Sequence, residues 1–123
     1  MSDPNFIILY VDDAGTSSAF YADLLGKAPV EASPTFAMFH LDSGVMLGLW
    51  KRKGVEPPAI ESSGSAELAF AVADKSAVNT SHADWRKRGI RVIQAPVEMD
   101  FGYTFTALDP DGHRLRVFAP SAP

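Results

Sequence analysis

The chain repeats itself, and the repeat limits the folds open to it. Asp42-Ser43-Gly44 leads into Val45-Met46-Leu47-Gly48-Leu49-Trp50, and Asp111-Gly112 leads into His113-Arg114-Leu115-Arg116-Val117-Phe118. Aligning Gly44 with Gly112, an offset of 68, sets Leu47 on Leu115, Leu49 on Val117 and Trp50 on Phe118. Upstream, Leu9-Tyr10-Val11-Asp12-Asp13 matches Phe70-Ala71-Val72-Ala73-Asp74 at an offset of 61. Each copy then runs into a helical stretch that ends at a glycine, Gly26 or Gly89. Two similar halves of roughly 55 residues are the economical reading.

Local patterns fill in each half. Phe6–Tyr10 reads as a buried strand closed by Asp12 and Asp13. A helix capped at Ser17 or a neighbour runs to Leu25. Pro29–Ala32, Thr35–Leu41 and Val45–Trp50 follow as a meander, which makes a β-α-β-β-β module over residues 1–50. Residues 51–65 carry Gly54, Pro57-Pro58 and a Ser/Gly run and read as a linker. The module over 66–123 has a strand at Glu67–Val72 and a helix from about Lys75 to Arg88, with Ala77, Val78, Ser81 and Trp85 on its core stripe. A short strand Arg91–Gln94 and a loop Pro96–Asp100 precede a hairpin of Tyr103–Leu108 and His113–Phe118, turned by Asp109-Pro110-Asp111-Gly112. The fold class is α+β, within one domain of two modules.

Composition excludes several chemistries. At 46% hydrophobic and 21% charged, the chain is an ordinary globular sequence. It has no cysteine, hence no disulfide framework, thiolate site or thiol nucleophile. Neither a signal peptide nor a membrane-spanning run is visible, so the expectation is a cytoplasmic protein without a membrane partner. A net charge of −4 argues against nucleic acid, and Lys51-Arg52-Lys53 and Arg86-Lys87-Arg88 read as solvated surface. His40, His82 and His113 read as surface or hydrogen-bonded structural residues. The pairs Asp12/Asp13 and Asp109/Asp111 belong to turns.

The two modules, a Val-x-Asp after the first strand, Phe20-Tyr21 and Leu25-Gly26 on the first helix, and Asp109-Pro110-Asp111-Gly112-His113 in the last hairpin together resemble the vicinal-oxygen-chelate superfamily of glyoxalases, bleomycin-resistance proteins and extradiol dioxygenases. The resemblance covers nearly the whole chain. It implies two curled half-barrel sheets that enclose a site, without implying one activity. Phe101-Gly102, Thr104-Phe105, the Asp109–His113 run, Arg116 and Trp50 look most like small phenazine-resistance proteins, which bind a flat tricyclic antibiotic.

The resemblance also implies four metal-ligand positions, on the first and last strands of each module. Counting seven residues back from Asp13 and Asp74 gives Phe6 and Glu67, and four on from Gly44 and Gly112 gives Gly48 and Arg116. Only Glu67 is a plausible ligand, and Arg116 brings a positive charge to the metal's place. A register slip of one residue supplies no better set. The expectation is therefore no metal and no other cofactor.

Strand alternation from these four positions lines the cup with Phe6, Ile8, Tyr10, Met46, Gly48, Trp50, Glu67, Ala69, Ala71, Arg114, Arg116 and Phe118. Alternation assigns no face to Met99, Phe101 or Tyr103, which the resemblance sets near the cup mouth; Tyr103 is taken as a further candidate. An aromatic, adaptable lining with a forked cation suits a flat aromatic molecule with an acidic edge. Glu67 and Arg116 could equally pair with each other as structure. The leading expectation is a binding protein that sequesters a planar aromatic antibiotic and catalyses nothing. The alternatives are a divalent-metal glyoxalase or dioxygenase with its ligands elsewhere, and a bleomycin-type cleft for a cationic drug. Arg114 and Arg116 argue against the last. A two-fold homodimer is expected, because an open cup needs a partner.

Overall fold

The computed structural model describes residues 3–59 and 66–121. The chain forms two compact units, Met1–Ser63 and Gly64–Pro123. The first holds β1 (Phe6–Val11), α1 (Ala14–Leu25), β2 (Glu31–Ala32), β3 (Phe36–His40) and β4 (Met46–Lys51), with a short 3-10 turn at Arg52–Gly54. The second holds β5 (Glu67–Ala71), α2 (Lys75–Lys87), β6 (Arg91–Met99), β7 (Gly102–Leu108) and β8 (Arg114–Pro120). Each unit is a helix on a four-stranded mixed sheet, ordered β1-β4-β3-β2 and β5-β8-β7-β6. The architecture is α+β, as the sequence implies.

The repeat is reproduced in the backbone. In each unit the first and last strands pair in parallel, and the register is the same: Phe6 opposite Met46 and Glu67 opposite Arg114. Gly44 and Gly112 hold φ of 94° and 85° just before those last strands. The two aligned aspartates share a role that, for α1, the sequence reading gave to Ser17 or a neighbour. Asp13 Oδ1 accepts from Gly15 N at 3.0 Å and its Oδ2 from the Thr16 hydroxyl at 3.0 Å. Asp74 Oδ1 accepts from Ala77 N at 2.9 Å. Each is the N-cap of its helix, so α1 begins three residues earlier than Ser17, which is itself buried within it.

The cores sit between helix and sheet. In the first unit Leu9, Val11, Ala37, Phe39, Leu47 and Leu49 are buried with Tyr21 of α1. In the second, Trp85 of α2 meets Phe105 and Phe70 edge-on, at 5.2 and 5.8 Å between ring centres, over buried Leu115 and Val117. Trp85 is core, as its helical spacing indicates.

Boundaries differ from expectation, most in three places. β2 is two residues long, because Val30 joins β3 by a single N–H to Met38 O. Lys51 completes β4, so part of the expected linker is strand, and residues 60–65 of that linker lie outside the described residues. The expected loop Pro96–Asp100 is instead strand as far as Met99. Irregularities between Val92 and Gln94 and between Gln94 and Val97 absorb Pro96 on the sheet edge, where a missing N–H costs least.

Two outcomes follow from this backbone. Gly102 has φ of 146°, and a Cβ there would stand 2.1 Å from Ala119 O. Gly102→Ala should therefore lose about 3 kcal/mol in denaturant unfolding, from strain and overlap with a carbonyl that cannot move alone. At Asp13, the Thr16 hydroxyl bond and then the Gly15 amide hold the carboxyl below its ordinary range. A depressed folded pKa means that the cap stabilises at neutral pH and is lost as pH falls through that lowered range. Amide exchange in the first turn of α1, corrected for intrinsic rate, should speed up on acidification, and in Asp13→Asn it should not.

Candidate functional site: two open sheet faces of unlike chemistry

Each sheet has one face under its helix and one face away from it, and alternation assigns every strand residue to one of them. In the first unit the helix-distal face has three rows. They are Phe6, Met46 and His40; then Ile8, Gly48, Met38 and Glu31; then Tyr10, Trp50 and Phe36. The register thus brings together all six expected residues of this unit. It adds Phe36, Met38 and His40 from β3, which the sequence reading left out although the same alternation would have supplied them.

Gly48 is where these side chains converge. A Cβ there would lie 2.8 Å from Phe6 Cε1 and 3.2 Å from two atoms of the Phe36 ring. Two phenyl rings therefore rest against the strand backbone, a closeness only glycine permits. Phe36 meets Trp50 edge-on at 6.4 Å, and Arg52 Cζ stands 5.9 Å from the centre of the Tyr10 ring. Phe6 and Ile8 are 40% and 43% exposed, large for apolar side chains on a sheet. The patch is apolar and aromatic, with Glu31 and His40 only at its margin.

The second unit has the same layout with other chemistry. Its rows are Glu67, Arg114, Leu108 and Arg91; then Ala69, Arg116, Thr106 and Gln94; then Ala71, Phe118, Thr104 and Val97. Arg116 Nε donates to Glu67 Oε1 at 3.0 Å, and its Nη1 to the Thr104 hydroxyl at 3.4 Å. The Thr104 hydroxyl donates to Val117 O at 2.8 Å, and that of Thr106 to Gln94 Oε1 at 3.1 Å. Phe101 lies with its ring centre 5.5 Å from Arg116 Cζ and 6.1 Å from Phe118, edge-on.

Tyr103 is the exception among the expected residues. It pairs with Ala119, its hydroxyl donates to Asn79 Oδ1 of α2 at 2.9 Å, and Lys75 Nζ stands 5.5 Å from its ring centre. It belongs to the helix side, away from Arg114, Arg116 and Phe118. The neighbouring residue that does reach the face is Phe101. The clue was present in Thr104-Phe105-Thr106, where the bulky residue at 105 marks the core side and Tyr103 shares its parity.

The four positions at which the fold would hold a metal can now be tested by their donors. Phe6 lies on Gly48, and Glu67 touches Arg116, so each pair does sit side by side. The first pair offers no donor atom, and the second offers one carboxylate already bonded to a guanidinium. This set does not fit a divalent ion. Among the described residues one group of ligand type converges, Asp109, Asp111 and His113, with atoms within 4.8 Å of one another. Its oxygens serve the β7–β8 turn instead. Asp109 Oδ1 accepts from the amides of Asp111 and His113 at 2.9 and 2.8 Å, and Oδ2 meets His113 Nδ1 at 2.6 Å. His113 is thus the hydrogen-bonded structural residue expected. His82 packs 5.2 Å from Phe105, and His40 is exposed at the end of β3.

Fold and faces together define a two-module glyoxalase-type protein. The chain belongs to the Glyoxalase/Bleomycin resistance protein/Dioxygenase superfamily, whose family model matches residues 4–117. A curated relative, the phenazine antibiotic resistance protein EhpR of Enterobacter agglomerans, is 31% identical over 117 residues, covering 93% of this chain and 89% of EhpR. The solution structure of protein ATC0852 from Agrobacterium tumefaciens is 51% identical with a TM-score of 0.90, covering 99% of this chain and 100% of that one. A glyoxalase/bleomycin resistance protein/dioxygenase from Nocardioides is 27% identical with a TM-score of 0.80, covering 98% and 85%.

Gly48→Ala gives a direct check on the aromatic patch. The added methyl should push the exposed Phe6 ring outward, since Phe36 is held against Trp50. Near-ultraviolet dichroism should change, while unfolding free energy shifts by less than about 1 kcal/mol because the displaced ring end is free to move.

Proposed function

We propose that this chain binds and sequesters a planar aromatic small molecule, an antibiotic of phenazine type, and confers resistance by binding it without a metal ion. The observation that supports this reading most is the helix-distal face of the first unit. There Phe6, Phe36, Tyr10 and Trp50 surround a glycine, and Met38 and Met46 supply adaptable contacts. A flat ring system fits such a face. Stacking adds about 0.5–1.5 kcal/mol per aromatic pair beyond burial, and no charged group stands in the middle of the patch. The similarity to a phenazine antibiotic resistance protein supports the choice of ligand class.

A metalloenzyme reading needs ligands that the four metal positions do not carry. A reading as a binder of a large cationic drug meets Arg91, Arg114 and Arg116 on the second unit's face. On the proposed reading the chain works as a cytoplasmic homodimer, in which a second copy covers apolar side chains that one copy leaves open. Among the described residues no helix is long and apolar enough to cross a membrane.

Trp50 tests the proposal. Phenazines should bind saturably to metal-stripped protein and quench tryptophan fluorescence, chiefly from half-buried Trp50 because Trp85 is enclosed in the core. Trp50→Ala should weaken binding measured by calorimetry by roughly 30-fold, about 2 kcal/mol of lost burial and stacking. Flat titrations across phenazines and other tricyclic rings, or one tightly held metal per chain with turnover, would refute it.

A further inference from the structure

The helix-distal face of the second unit carries three cations and one acid. Arg91 and Arg114 share a row with Glu67, and Arg116 is on the next row. The unit's other acids are committed elsewhere. Glu98 pairs with Lys75 on the helix side, Asp84 with Arg88, Asp74 caps α2 and Asp109 holds the last turn. Asp100 and Asp111 are exposed in turns. Residues 66–123 carry seven acids and seven Lys or Arg, whereas residues 1–65 carry eight and four, so the formal −4 belongs wholly to the first half. A cationic surplus is thus concentrated on one sheet face of an acidic chain, and an anion is what it attracts.

Arg116 is placed to take that anion. Its side chain is 15% exposed, which makes its charge costly to leave half satisfied. Glu67 occupies only the Nε edge, and Thr104 accepts from Nη1 at a long 3.4 Å. Among the described residues no other group accepts from the Nη1 and Nη2 end. That end is the one a carboxylate matches with two parallel bonds. Phe101 and Phe118 stand beside it as an aromatic pair.

We infer that the Nη1–Nη2 end of Arg116 holds the carboxylate of an aromatic acid, and that Glu67 is the positioning residue that turns the guanidinium toward it. The inference rests on the proposed aromatic-ligand function and narrows it to acid-bearing ligands. Glu67 does two opposed things: its bond to Nε orients the fork, and its charge repels the incoming acid. Gln at 67 keeps an acceptor oxygen and removes the charge, and Ala removes both.

The test is calorimetry on the full chain with two isosteric probes, phenazine-1-carboxylate and the neutral phenazine-1-carboxamide. The wild type should prefer the carboxylate by about tenfold, the yield of one charge-assisted interaction. Glu67→Gln should widen that ratio and Glu67→Ala should narrow it. Arg116→Gln should bring the ratio to about one while still binding the carboxamide, which a merely structural role would not do. Arg116→Lys keeps the charge, loses the fork and should also narrow the ratio; it serves if Arg116→Gln does not fold. Equal affinity of the wild type for both probes, or a ratio that survives Arg116→Gln or Arg116→Lys, overturns the carboxylate site and leaves the aromatic-ligand function standing. A Glu67→Gln ratio that narrows as it does in Glu67→Ala overturns the positioning role. Binding of neither probe removes the function and this inference together.

Discussion

Everything else in the molecule depends on the parallel pairing of the first and last strands in each unit. β1 lies along β4 and β5 along β8 in one shared register. Parallel neighbours cannot be joined by a tight turn, so the helix and two further strands must come between them. That requirement puts the helix on one face and leaves the other face open. It also sets Phe6 opposite Met46 and Glu67 opposite Arg114, so that Phe6 reaches Gly48 and Glu67 reaches Arg116 one row on, residues far apart in the chain. The Asp caps and the turn glycines are local devices that make this pairing repeatable. They recur at matching places in both halves.

The duplicated backbone then separates from its side-chain chemistry. Equivalent positions carry Phe6 and Glu67, Gly48 and Arg116. One face became apolar and aromatic, with two rings lying on a bare backbone. The other became hydroxylated and cationic, its arginine held by a glutamate and a threonine. An ion pair on a sheet face contributes little to stability when one partner is as exposed as Glu67, whose side chain keeps 38% of its surface. Its effect is on orientation and on the sign of the local potential, which are properties of a binding surface.

Much of this was legible in the sequence, because the signals involved are periodic or local. Two turn glycines and two aspartates located the repeat, and period-two alternation from four counted positions grouped on one face of each sheet the strand residues that the registers also group there. What was missed has physical reasons. Asp13 and Asp74 close a strand and open a helix at once, and only their geometry shows the second role. β6 passes through Pro96 because it is an edge strand with irregular register, whereas proline in sequence normally argues against a strand. Tyr103 was left without a face because it follows Gly102, whose backbone breaks any count carried forward from the loop. Counting back from Phe105 would have put it under α2.

The measurement that bears most directly on the account is a two-dimensional NMR titration of isotope-labelled protein with phenazine-1-carboxylate. The account predicts that resonances of Ile8, Met38, Met46, Gly48 and Trp50 on the face of the first unit, and of Arg116 and Thr104 on the face of the second, each move to saturation, while Asn79, Tyr103 and the α2 core stay in place. Shifts confined to the helix sides of the units, or no shifts at millimolar ligand, would contradict the claim that the open sheet faces are the binding surface.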